Sequence, residues 1–116
     1  MAVMLEDKAL RQFISEYLTS FVTWDLFDLY ASTPTAEGKA ADVAYLIGRD
    51  TDQVASALRE LAAEGFVRAS GPEDDPVYTY DPPDELAELV KRFSEATAER
   101  DFRLTALVEL LARSSV

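Results

Sequence analysis

A chain of 116 residues with 48% hydrophobic content is the size of one compact domain and can fill a single core. It contains no Cys, no His and no Asn, so thiol chemistry, histidine acid–base catalysis and Cys/His zinc sites have no residues to use. The net charge of -11 works against polyphosphate partners, which attract Lys and Arg and repel a carboxylate-rich surface.

The first residues have neither the basic start nor the apolar run of a signal peptide. No stretch approaches the roughly 18 apolar residues of a spanning helix, so a cytoplasmic, non-membrane protein is expected. In residues 5–21, Leu10, Phe13, Ile14, Tyr17, Leu18 and Phe21 follow 3-4 spacing and predict an amphipathic helix. Thr23 is placed as the N-cap of a second helix, with Asp25 in its first turn. Trp24, Leu26, Phe27, Leu29 and Tyr30 follow, and Thr33-Pro34 ends the run. So many apolar positions imply burial on more than one side. After a loop with Pro34 and Gly38, residues Lys39–Ile47 regain helical period through Ala40, Val43, Ala44 and Ile47, and Gly48 closes them.

Asp50, followed by Thr51-Asp52-Gln53, gives a capping-box start for a helix over 51–64, whose inward residues are Val54, Leu58 and Leu61. Gly65 falls where a left-handed residue is needed after that helix. Phe66–Ser70 and Val77–Tyr80 then read as a β-hairpin around the six-residue loop Gly71–Pro76. Its anchors are expected to be Phe66, Val77, Tyr78 and Tyr80. From Pro82-Pro83 and Asp84 onward the pattern predicts one long helix. Its seam runs through Leu86, Val90, Phe93, Thr97, Arg100, Leu104, Leu107 and Leu111, and leaves Phe102 to one side. Such a helix would extend about 45 Å, beyond what a small domain covers. Its distal half therefore calls for a partner, either the first helix or a second copy of the chain.

The predicted fold class is thus mainly α with a small β-hairpin, in a single domain. Its parts are an N-terminal helix over 5–21, a core over 23–80 and a C-terminal helix over 84–113. The order helix, helix, turn, helix, hairpin resembles the winged helix-turn-helix of bacterial transcription regulators, including the broad MarR-like group. The run Ala41-Asp42-Val43-Ala44-Tyr45-Leu46-Ile47-Gly48, then Thr51–Leu61, then Glu64-Gly65-Phe66-Val67 carries the likeness. The resemblance implies transcription regulation, a recognition helix at 51–64, and flanking helices that pair two copies. It places Phe93, Leu104, Leu107 and Leu111 at a homodimer contact.

In such proteins the recognition helix reads bases from its exposed side while basic groups hold phosphates. The corresponding contact residues here are Arg49, Gln53, Ser56, Arg59 and Arg68, Gln53 suiting adenine and Arg59 guanine. Lys39 is a further candidate for a basic patch. Between Asp50 and Glu64, however, four carboxylates face one guanidinium, a net charge of -3, and the wing loop adds Glu73, Asp74 and Asp75. Two functions follow: a regulatory module resembling a transcription regulator, with DNA contact disfavoured by charge, and an adaptor binding protein through the same acidic helix and wing.

Other chemistry is weakly represented. Glu73-Asp74-Asp75 lacks the alternating ligand spacing of a calcium loop. Acids such as Asp84, Glu85 and Glu88 are neighbours expected by chance among 22 carboxylates. Trp24, Phe27 and Tyr30 would suit an effector pocket, but their helical spacing reads more simply as core. The four glycines are scattered and form no phosphate-binding loop. No catalytic residue, metal or cofactor is expected.

Overall fold

The computed structural model describes residues 8–114, with side chains to residue 112. Among them are six helices and one small antiparallel sheet, so the fold is mainly helical. Helix α1 spans Lys8–Tyr17, and residues 5–7 of the expected helix lie outside the described part. Its end comes at Tyr17, because a new helix, α2 (Phe21–Ser32), starts one turn before the predicted cap. Ser20 is the N-cap: its hydroxyl accepts the Thr23 amide at 3.1 Å. Thr23 lies inside α2, fully buried, with its hydroxyl shared between Ser20 at 2.8 Å and Thr19 at 3.2 Å.

α2 buries Val22, Leu26, Phe27 and Tyr30, and packs Trp24 and Leu29 as well, as a helix surrounded by others must. A short strand that periodicity did not reveal, β1 (Glu37–Lys39), precedes α3 (Ala40–Ile47). Three residues centred on glycine carry no strand signature. Gly38 is there for space, since a Cβ would lie 3.0 Å from Asp42 Cβ. Asp42 in turn accepts the Lys39 amide at 3.1 Å and ties the strand to the first turn of α3. Gly48, left-handed with φ 69°, ends that helix as expected.

Helix α4 runs Thr51–Ala63 from the Asp50 cap, whose carboxylate accepts the Gln53 amide at 3.2 Å. Glu64 forms its C-cap, and Gly65 follows at φ 90°. Strands β2 (Val67–Ser70) and β3 (Val77–Tyr80) pair from Val67↔Tyr80 to Ser70↔Val77. Phe66 lies just outside the strand, and its carbonyl accepts the Asp81 amide at 3.0 Å. The sheet order is β1-β3-β2, so the expected hairpin is a three-stranded sheet with β3 central.

The expectation of one continuous C-terminal helix is corrected. α5 (Asp84–Ala96) ends at Thr97, and α6 (Arg100–Ser114) begins three residues later. The apolar stripe explains the break. Phe93 and Phe102 are both fully buried, yet nine residues of straight helix would set them about 180° apart. Only a bend lets both face one core, where their rings sit 6.3 Å apart. Thr97 seals the corner: its amide bonds the Phe93 carbonyl at 3.0 Å and its hydroxyl the Ser94 carbonyl at 3.0 Å. Phe102, set aside in the seam reading, begins the inward stripe Phe102, Ala106 and Leu110.

At the centre, Phe13 meets Phe27 at 4.9 Å, Phe93 at 5.5 Å and Phe66 at 6.1 Å. Each such ring, fully buried, contributes on the order of 2 kcal/mol. The buried side chains Leu10, Phe13 and Ile14 of α1 thus join the core of their own chain.

Candidate interaction surface

α4 turns Val54, Ala57, Leu58 and Leu61 inward, which leaves Asp52, Gln53, Ser56, Arg59 and Glu60 exposed. The helix therefore presents the residues the sequence placed on its outer face. Gln53 and Ser56 join Arg49 along one groove, of about 610 Å³, between α4 and the α1–α2 corner at Thr19–Thr23. Arg59 lies on the other flank. There a groove of about 490 Å³ runs between α4 and the β2–β3 hairpin, bordered by Ala62, Ser70, Glu73 and Tyr78. Arg68 lines neither groove, so the structure does not gather Arg49, Arg59 and Arg68 into one of them.

Three of the four cations considered for a basic patch are also engaged. Arg49 donates to Asp25, Arg68 to Asp81, and Lys39 lies 3.1 Å from Asp75. The Lys39 pair fastens the β2–β3 loop back onto β1. The Arg49 pair ties the turn before α4 to α2, so Asp25 serves this turn rather than capping a helix. Each pair is at least one-third exposed and contributes about 0–1 kcal/mol to stability. Their electrostatic effect is the larger matter, because each places a carboxylate beside the group that a phosphate would have to reach.

Two exposed apolar side chains on α3 escaped the sequence reading. Tyr45 and Leu46 on α3 are 87% and 62% exposed. The signal was present: a helix that buries Val43, Ala44 and part of Ile47 must point positions 45 and 46 outward. Two exposed large apolar residues in succession suit contact with another surface better than solvent.

Of the aromatic residues considered for a pocket, Trp24 and Phe27 are packed, while Tyr30 is buried but also borders a groove of about 380 Å³ with Pro34, Tyr80 and Lys91. Trp24 meets Phe93 edge-on at 5.7 Å, and Phe27 is fully buried. Tyr30 stacks on Tyr80 at 4.6 Å and 2° between planes, and burial pushes both phenols up to about 12. Among the described residues no group of three or more acids is arranged to hold a metal ion, and no helix is long and apolar enough to cross a membrane.

The proposed pairing residues divide. Phe93 is corrected: it sits in the core of its own chain and is not available to a second copy. Leu104 and Leu111 are about half exposed, and Leu107 is partly covered. Val108, which the seam spacing omitted, joins them at 64% exposure. They form one outward stripe opposite Phe102, Ala106 and Leu110.

Compared with known proteins, the chain matches no family model, no curated protein and no solved structure. Function must therefore be argued from the residues themselves.

Proposed function

We propose that this protein is a non-enzymatic regulatory module on a winged-helix scaffold that docks a basic protein segment, in place of duplex DNA, through α4 and the wing. One observation carries the reading. Lys39, Arg49 and Arg68, three of the four cations that would serve as phosphate clamps, are each held by a carboxylate, and only Arg59 on α4 itself has no ion pair among the described residues. A DNA backbone would have to break those pairs and then face Asp25, Asp75 and Asp81 as well as Asp50, Asp52 and Glu60. Breaking the pairs is cheap, but the carboxylates left behind repel phosphate. A Lys- or Arg-rich segment meets the opposite field, and the exposed Tyr45 and Leu46 of α3 offer apolar contact to a protein but none to phosphate. The order α2, α3, α4, β2, β3 supports the winged-helix assignment, and β1 widens the wing.

The same reading has two copies paired through Leu104, Leu107, Val108 and Leu111. Antiparallel packing would set Leu104 of one copy against Leu111 of the other, an isologous contact.

The docking claim is tested by titrating an arginine-rich peptide against Asp52→Lys/Glu60→Lys, and against Glu85→Lys/Glu95→Lys on α5. Both variants change net charge equally. Binding lost in the first and kept in the second supports the assigned face, whereas equal loss would mean attraction to net charge alone.

A further inference from the structure

Where the end of α1 meets the end of α4, the carboxylates of Glu16, Glu60 and Glu64 act on one another, and none of the ion pairs among the described residues involves them. Glu64 caps α4, and its Oε1 is buried with no hydrogen-bond partner. Glu60 lies one turn back and accepts the Thr19 hydroxyl at 2.5 Å. Glu16 of α1 faces the same seam and accepts the Gln12 amide at 2.7 Å. The Tyr17 phenol, raised by burial and then by Glu16, stays protonated near neutrality. Its ring stands edge-on to Phe66 at 5.0 Å, just past Gly65. The nearest cation along the chain beyond the cap, Arg68, is committed to Asp81.

We propose that this seam is a proton-operated latch, closed while the Glu64 carboxyl is neutral and loosened when it ionises. A charged Glu64 would bury an unpaired oxygen at the negative end of α4, beside two further carboxylates. The neutral acid avoids that cost. Burial first, then Glu60 and Glu16, pushes the group from 4.5 up to about 7. The folded protein therefore holds this proton more tightly than the unfolded chain does. The stabilisation is complete below about 4.5 and is lost as pH rises through about 7. Glu60 belongs both to the latch and to the exposed face of α4, so the proton also bears on how that helix is presented.

The composition makes the latch unusually readable. With no His and no Cys, the chain has only the terminal amine as another group whose ordinary value lies near neutrality. Thermal melts of the wild type from about pH 5.5 to 8.5 are expected to show a falling midpoint with an inflection near 7, and Glu64→Gln is expected to remove the inflection. Glu16→Gln should move it to lower pH by deleting one like charge, and this shift decides the matter if Glu64→Gln does not fold. A wild-type midpoint that is flat across the window, an inflection that survives Glu64→Gln, or one that Glu16→Gln leaves in place would overturn the proposal. None of these outcomes depends on what docks at the wing.

Discussion

α4 and α6 are built alike on the inside and differently on the outside. Each buries an apolar stripe, Val54, Leu58 and Leu61 in one case and Phe102, Ala106 and Leu110 in the other. The outer side of α4 is charged and hydroxylated, while that of α6 carries Leu104, Val108 and Leu111. On the proposed reading, the contrast separates two kinds of association within one small chain. Contacts through α4 should be governed by charge and weaken with salt, whereas contacts through α6 should depend on apolar burial and survive it.

The comparison is broken most forcefully from the inside. Leu61→Ala and Phe102→Ala are both expected to lower unfolding free energy by about 2–5 kcal/mol, the usual cost of a large core truncation. Urea denaturation measures both. A Phe102→Ala loss below about 1 kcal/mol would mean that α6 is only loosely attached, and that its inward stripe is not core.

The outer stripe of α6 gives the next largest effect. Leu104→Asp with Leu111→Asp should convert a dimer to a monomer in sedimentation at micromolar concentration while leaving the melting midpoint of the monomer nearly unchanged. A wild type that is already monomeric there would remove the pairing from the account.

Smaller effects sharpen the α4 side. Asp50→Ala removes the cap that accepts the Gln53 amide, and should destabilise by about 1 kcal/mol. Gly65→Ala puts a side chain at φ 90° and should cost about 1–2 kcal/mol through backbone strain alone, because no atom lies within 4 Å of the added Cβ. Equal stability of Gly65→Ala and wild type in the same urea titration would show that the turn relaxes to another conformation.

Much of this architecture was legible because strong local signals agree with packing. Asp50, Gly48 and Gly65 mark their boundaries by cap chemistry, and Val77–Tyr80 by β-branched and aromatic residues. What escaped was non-local. Ser20 and Thr23 are both good caps in isolation, and only the burial of Thr23 decides between them. β1 exists because β3 offers it an edge, which Glu-Gly-Lys does not announce. The break at Thr97–Glu99 was visible in retrospect, since Phe93 and Phe102 cannot share one face of a straight helix. On the functional side, Gln53, Ser56 and Arg59 were placed outward from periodicity alone. The carboxylates that occupy Arg49, Arg68 and Lys39 come from positions 24, 13 and 36 residues away, beyond any local pattern.

The central claim, that the α4 face prefers a basic protein segment to nucleic acid, is tested most directly by fluorescence anisotropy of labelled duplex DNA and of an arginine-rich peptide at low ionic strength. The account expects the peptide to bind saturably and to dissociate as salt is added, with the duplex unbound throughout. Saturable duplex binding that falls steeply with salt, while the peptide stays free, would contradict it.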